Sequence, residues 1–355
     1  MYPQNHVLGS QRNGLNHVSM NLGHFDRSIG PIEGTQYPLY TDGLLDWYNA
    51  KDIKSVRLMF TWEAVQRLLG GPITSDAVGG PDPINYVVYW RNLKHMLWRL
   101  LVRDIYVILC PWQYNEHSMD TDIVYDSSPF SSLHFADFWA KFATSINHAT
   151  GHDQRVAFDL INEPHTHAQS GEKAGDIGIT LTNWFLCAQA AVDRIRATGA
   201  TNTILVPGME YAAASSFTSN GSSEEWINLN DPSKNLAVTA HCYAGIGSSS
   251  PTVLGDACSS LVTWARSNGL KLHIGEIALD AGGNAGSLLM AETQWRNWAQ
   301  FCQHNADVLV GWNWWANSAA GWWDQGDSQA GFHWGLTLDD GATQTAYMDL
   351  IEKEL

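Results

Sequence analysis

The chain has 355 residues, 45% hydrophobic and 16% charged, with a formal net charge of -16. That length suits one large α/β domain or two small ones, and the acidic balance argues against nucleic acid or an anionic membrane as partner, since phosphates would be repelled. No run of about 18 apolar residues occurs, so no membrane-spanning helix is expected, and MYPQNHVLGSQRNG at the start lacks the basic and apolar regions of a signal peptide.

In chain order, short apolar runs rich in β-branched residues alternate with amphipathic patterns. The predicted strands are 15–22, 55–60, 105–110, 156–161, 203–208, 236–241, 271–276 and 307–314. Predicted helices fall at 84–102, 134–149, 179–198, 256–268 and 287–304, and Gly199 is placed to end the third of them. Continuous apolar strands separated by helices imply a parallel sheet covered on both faces. Eight such units fit a (β/α)8 TIM barrel, here read as one domain over 1–355 with its core from about 13 and no separate carbohydrate-binding module. No GxGxxG follows a strand, which leaves a nucleotide-binding fold without support.

A barrel gathers its functional groups at the C-terminal tips of its strands. Those tips carry Arg57 on the second strand and Trp112, Gln113 and Tyr114 after the third. Asn162 and Glu163 follow on the fourth, His241 and Tyr243 on the sixth, Glu276 on the seventh, and Trp312 to Trp315 on the eighth. Two glutamates facing one another across a mouth are the minimum equipment for glycoside hydrolysis. One must stay protonated for the leaving oxygen while the other is ionised.

Five cysteines form no CxxC pair. Cys242 and Cys258 flank a Gly/Ser-rich loop and leave two readings open, a disulfide or buried thiols. His165 and His167 have His-x-His spacing without an accompanying carboxylate or cysteine set, and no metal is expected there. Glu116, Asp120, Asp122 and Asp126 resemble a calcium cluster only loosely, and a solvated loop is expected. Of the 17 tryptophans most should be core. Trp226, Trp322, Trp323 and Trp334 sit in rim loops where a flat ring can stack on sugar.

NEPH (162–165), IGE (274–276), VRLMFTWEAVQ (56–66), AHCY (240–243) and GWNWWA (311–316) occur together and in order. With them the sequence resembles glycoside hydrolase family 5 (clan A), closest to its subfamily 5 endoglucanase (cellulase) branch. The resemblance implies a retaining endo-β-glycanase without cofactor or metal, in which Glu163 is acid/base and Glu276 nucleophile. Asn162 would meet the sugar 2-hydroxyl, and Arg57 and Tyr243 would hold Glu276 and keep it ionised. His241 would bond substrate or orient Glu163, and His165 would support the motif. Trp315 would floor the subsite of the attacked sugar, with Trp312 a competing assignment. The partner would be a β-linked polysaccharide or oligosaccharide, with the protein a secreted monomer. Endo-β-1,4-glucanase is the leading activity. Mannan, mixed glucan, a bacterial exopolysaccharide or a non-catalytic carbohydrate-binding barrel remain alternatives.

The third strand departs from the branch. Where its members usually read DPHNY or DIHNY, this chain reads CPWQY (110–114), so Cys110 replaces an aspartate, Trp112 a histidine and Gln113 an asparagine, with Tyr114 retained. In the first strand, Asn21 stands where the branch commonly carries a glutamate. Exchanging imidazole for a larger, mostly apolar ring should narrow the subsite and alter its sugar preference.

Overall fold

The computed structural model describes residues 14–20, 28–33, 37, 41–75, 82–112, 116–118, 122–123, 129–165, 180–244, 249–279, 285–317 and 349. Eight parallel strands close into a barrel: β1 (Gly14–Met20), β2 (Ser55–Phe60), β3 (Tyr106–Pro111), β4 (Val156–Asp159), β5 (Ile204–Pro207), β6 (Leu236–Tyr243), β7 (Leu272–Ala278) and β8 (Leu309–Asn317). Closure runs through β1, which pairs with β2 (Leu15 to Val56) and with β8 (Leu15 to Trp314). Around it lie α1 (Asp42–Ala50), α2 (Trp62–Val65), α3 (Ile84–Leu101), α4 (Pro129–Thr150), α5 (Leu181–Ala197), α6 (Ser222–Trp226), α7 (Val253–Ser267) and α8 (Ala285–His304). The predicted barrel is therefore the observed one. The short helices α1, α2 and α6 are additional. No helix among the described residues is long and apolar enough to cross a membrane.

Local chemistry sets the helix ends. Thr41 and Thr180 accept hydrogen bonds from the amides of Leu44 and Asn183, each at 3.3 Å, and so cap α1 and α5. Gly199 follows α5 with φ +86°, a left-handed turn that a side chain would strain. Behind it, Arg196 forms a two-pronged ion pair with Asp231 (2.7 and 3.0 Å) and donates to the carbonyls of Ala200 and Asn202. One side chain thus ties α5 to the loops flanking β5.

The strands divide their side chains between two cores. One alternate set packs outward on the helices in the main core, including Val107, Leu109, Val156, Phe158, Ile204, Val206 and Val238. The other set points into the barrel, where Ile108, Ala157, Leu205 and Ala237 make a small apolar floor with Val310 against it. Most tryptophans are structural. Trp139, Trp184 and Trp226 donate their indole N–H to the carbonyls of Leu160, Pro207 and Val206, at 3.2, 2.9 and 3.2 Å. These rings satisfy backbone oxygens near strand ends while filling the outer layer.

Two expectations are corrected here. Trp226 is 2% exposed and set edge-on against Trp264, so it does not stack on sugar at the rim. All five cysteines are buried free thiols, Cys242 donating weakly to the Leu254 carbonyl at 3.5 Å, so the disulfide reading falls. Residues 116–118 and 122–123 pair as two short antiparallel strands after β3. Asn21, Gln113, Tyr114, His167, Trp322, Trp323 and Trp334 lie outside the described residues, as do Asp120 and Asp126.

Phe142 on α4 stacks on Phe60 at 4.8 Å and touches Phe138, Trp139 and Phe158, with no exposure. Phe142→Ala should cost about 3–5 kcal/mol, read as a lower urea midpoint at unchanged slope.

Candidate active site

The inner faces of β2, β4, β6 and β7 converge on one buried guanidinium. Arg57 Nε donates to Asp159 Oδ2 at 2.7 Å, one terminal nitrogen to Glu276 Oε1 at 2.8 Å, and the other to Asn162 Oδ1 and Cys110 Sγ, each at 3.0 Å. Arg57 and Asp159 have no exposed side-chain surface. Burial works against the Arg57 charge, but the carboxylates of Asp159 and Glu276 raise its pKa, and it stays cationic.

Glu276 reaches this centre through a β-bulge. Opposite Ala240 and His241 of β6, whose partners are Ile274 and Glu276, β7 carries Gly275 as an extra residue. A Cβ on Gly275 would lie 2.8 Å from Thr239 Oγ1 and 3.2 Å from His241 Nε2, so only glycine fits. The bulge turns Glu276 inward, where the Tyr243 hydroxyl donates to its Oε2 at 2.5 Å.

Glu163 arrives differently. Strand pairing of β4 stops at Asp159, two residues before the predicted end at Ile161, and the chain continues on single hydrogen bonds. The Leu160 amide donates to Leu205 and the Asn162 amide to Pro111, at 3.1 and 2.9 Å. Glu163 then takes φ +46°, a strained value for a side-chain-bearing residue. That left-handed turn swings the carboxyl over the mouth. His241 Nδ1 lies 2.7 Å from Glu163 Oε1 and 3.4 Å from Glu276 Oε2, and the His165 ring nitrogen meets the Glu163 carbonyl at 2.9 Å. His165 in turn stacks on Tyr211 at 4.3 Å.

Glu163, His241 and Glu276 offer ligand atoms all within 4.8 Å of one another, which makes them the candidate metal-holding group among the described residues. Glu276 already accepts from Arg57 and Tyr243, so a cation would compete with two donors.

Electrostatics separates the two carboxyls. Burial pushes Glu163 up from the ordinary 4.5 to about 7, against the opposing charges of Arg57 and His165. Burial also raises Glu276, with Glu163 adding to the rise, while His241, Arg57 and Tyr243 pull it down. The expected downward pull of Arg57 is present, but burial outweighs it. Two carboxyls this close do not both ionise readily. With two donors on Glu276, the shared proton belongs on Glu163. His241, buried and lowered to about 4, is neutral beside them.

The tryptophans at the end of β8 split by face. Trp312 and Trp314 stand edge-on to Trp295 of α8, at 5.1 and 5.4 Å, outside the barrel. Trp312 is thereby removed as a candidate floor. Trp315 faces the mouth, stacked on Trp112 at 5.4 Å and 12° and packed with Met59 and Ala278. One half of the mouth is thus aromatic, the other polar.

Two buried carboxyls this close, one protonated and one held by donors, suit hydrolysis of an acetal bond. A family model for cellulase (glycosyl hydrolase family 5) matches residues 16–318. The chain belongs to glycosyl hydrolase family 5. Endo-beta-1,4-glucanase A of Emericella nidulans is 26% identical over 82% of this chain and 78% of that protein. Endoglucanase 1 of Robillarda sp. is 30% identical over 54% of this chain, and the match spans 46% of that relative, about half its length. A triple variant of an endo-beta-1,4-glucanase from Xanthomonas axonopodis pv. citri has a TM-score of 0.77 at 26% identity, over 97% of this chain and 98% of that one. XacCel5A in complex with cellopentaose gives 0.76 at 25% identity, over 99% and 100%.

Within this family 5 barrel, sequence reading placed Arg57, Asn162, Glu163, His241, Tyr243 and Glu276 at the strand tips, and the structure brings all six together. It missed Asp159, which was visible as an acid inside the apolar run VAFDLI.

The folded state binds the Glu163 proton more tightly than the unfolded chain. Its stabilising contribution is therefore complete below about 4.5 and is lost as pH rises through about 7. Carboxyl-carbon NMR, assigned with Glu163→Gln, should show a titration near 7. The fall in urea midpoint over that window should be smaller in the variant.

Proposed function

We propose that this family 5 glycoside hydrolase is a retaining endo-β-1,4-glucanase with Glu163 as acid/base and Glu276 as nucleophile. The observation that carries the mechanism is the approach of the two carboxyls to within 4.8 Å. Retaining enzymes hold the pair about 5–5.5 Å apart, whereas inverting ones need roughly 6.5–9.5 Å to admit a water. Relatives named as endo-beta-1,4-glucanases and the cellopentaose complex of XacCel5A support the substrate class.

In the first step Glu276 attacks the anomeric carbon while Glu163 gives its proton to the departing glycosidic oxygen. This leaves a glycosyl ester on Glu276 and an ionised Glu163. Glu163 then takes a proton from water, whose oxygen attacks the same carbon and releases Glu276. Each group is prepared for its part. Tyr243 and Arg57 stabilise the ionised Glu276, and neutral His241 holds Glu163 by a hydrogen bond whose donor is set by the histidine tautomer. Asn162 has its carbonyl oxygen fixed by Arg57, while its Nδ2 has no hydrogen-bond partner among the described residues. That amide is available to a sugar hydroxyl. Trp315 serves as the platform for the attacked sugar. A polymeric glucan substrate is extracellular, so action outside the cell goes with this reading, as does catalysis by one domain without a cofactor.

A second reading has its own observation. Trp112 stacks on Trp315, covering a ring face where the branch carries a hydrogen-bonding histidine. That favours a β-linked polysaccharide other than cellulose, such as mannan or a mixed glucan.

Purified protein on carboxymethyl-cellulose, barley glucan, mannan and xylan, with product analysis, separates these readings. The leading one expects internal cleavage of carboxymethyl-cellulose with retained anomeric configuration, and kcat/KM falling above about pH 7 as Glu163 ionises. Glu276→Gln should lower kcat by on the order of 10⁴ or more. Glu163→Gln should lose activity chiefly on poor leaving groups. Near-normal turnover by Glu276→Gln would sink the assignment. Binding without cleavage of any polymer would instead favour a carbohydrate-binding barrel. Trp112→His with Gln113→Asn should raise kcat/KM on cellopentaose roughly tenfold if the ring restricts the subsite; an unchanged value removes the second reading.

A further inference from the structure

Asp159 has a part in this site that the acid/nucleophile pair does not explain. It lies on β4, wholly buried, four residues before Glu163. Its Oδ2 accepts from Arg57 Nε at 2.7 Å, the one guanidinium nitrogen that addresses neither Glu276 nor Asn162. A guanidinium is planar and rigid, so fixing Nε fixes the direction of both terminal nitrogens. With Nε anchored on β4, one terminal nitrogen aims at Glu276 on β7 and the other at Asn162 beyond β4.

The Cys110 thiol lies 3.0 Å from Arg57 and also neighbours Asp159. Burial raises that thiol well above its ordinary range, so Cys110 is neutral and supplies no counter-charge. The groups facing Asp159 are Arg57 from β2, Cys110 from β3 and His241 from β6. Arg57 is the full cation among them, because His241 is held neutral.

We propose that Asp159 is the positioning residue of this active site, a buried carboxylate on β4 that aligns Arg57 on Glu276 and Asn162. The proposal rests on Glu276 and Glu163 being the reacting pair, and its test also has a readout that does not depend on turnover. Either β4 or β3, at Cys110, can present one carboxylate to Arg57. Two together would crowd a third carboxylate, beside Asp159 and Glu276, around a single cation in a buried centre.

The experiment is a four-member cycle of wild type, Asp159→Asn, Cys110→Asp and the double variant. Each is measured for kcat and KM on carboxymethyl-cellulose and for thermal midpoint. Asp159→Asn keeps the shape but removes the charge, and should lower kcat about ten- to hundredfold with KM within threefold, as when outer partners of a site are lost. Cys110→Asp alone should lower both kcat and the midpoint. In the Asp159→Asn background the same change should raise both, recovering at least tenfold in kcat. That reversal of sign is not expected of a residue that merely fills space. Wild-type kcat in Asp159→Asn, or an effect of Cys110→Asp that is the same in both backgrounds, overturns the proposal. If the wild type cleaves no glucan, the substrate reading fails instead, and the sign of the midpoint change still decides the role of Asp159. Should Asp159→Asn fail to fold, a double variant that folds supports the proposal, and one that also fails overturns it.

Discussion

A single buried cation organises this barrel's mouth. Taking a guanidinium out of water is costly unless its donors are matched, and Arg57 has acceptors contributed from β3, β7 and the β4 segment. The arrangement works only while those strands keep their register, so the site depends on the closed sheet. Lysine could not replace it, since a point charge on a flexible stem cannot direct three differently oriented acceptors at once.

From this centre the mouth divides into two unlike halves. Toward β6 and the end of β4 it is polar, with Glu163, His241 and Tyr243 linked by short hydrogen bonds to one another or to Glu276. Toward β2, β3 and β8 it is apolar, closed by the Trp112–Trp315 stack over Met59 and Ala278. On the proposed mechanism the polar half handles the protons and the aromatic half limits the shape of sugar that approaches, which would write reaction type and substrate preference on different strands. A chain can alter CPWQY while keeping NEPH and IGE intact.

Much of this was legible in the sequence because parallel barrel strands are buried on both faces and read as continuous apolar runs. Six polar side chains at the strand tips could be named for the same reason. What escaped had specific physical causes. The helices α1, α2 and α6 are too short or too irregular to show a convincing period. Trp312 and Trp315 look equivalent in GWNWWA, yet positions three apart on a strand lie on opposite faces, one against α8 and the other at the mouth, and which is which depends on what packs outside. Trp226 occupies a polar stretch yet caps a backbone carbonyl, a role that depends on what packs behind it. The bulge at Gly275 and the left-handed turn at Glu163 are departures from regular strand geometry, which alternation alone does not reveal. Asp159 was hidden by its setting, since an acid amid apolar residues is informative only once its cation is found.

The closure of the barrel through β1 has a consequence for how the molecule comes into being. The first strand pairs on one side with its near neighbour β2 and on the other with β8, almost the whole chain away. During synthesis β1 and β2 can associate early, but the second edge of β1 stays open until β8 leaves the ribosome. Arg57 and Asp159 are made long before Glu276. The newborn chain therefore carries an incomplete ionic centre and an uncovered sheet edge for most of its translation.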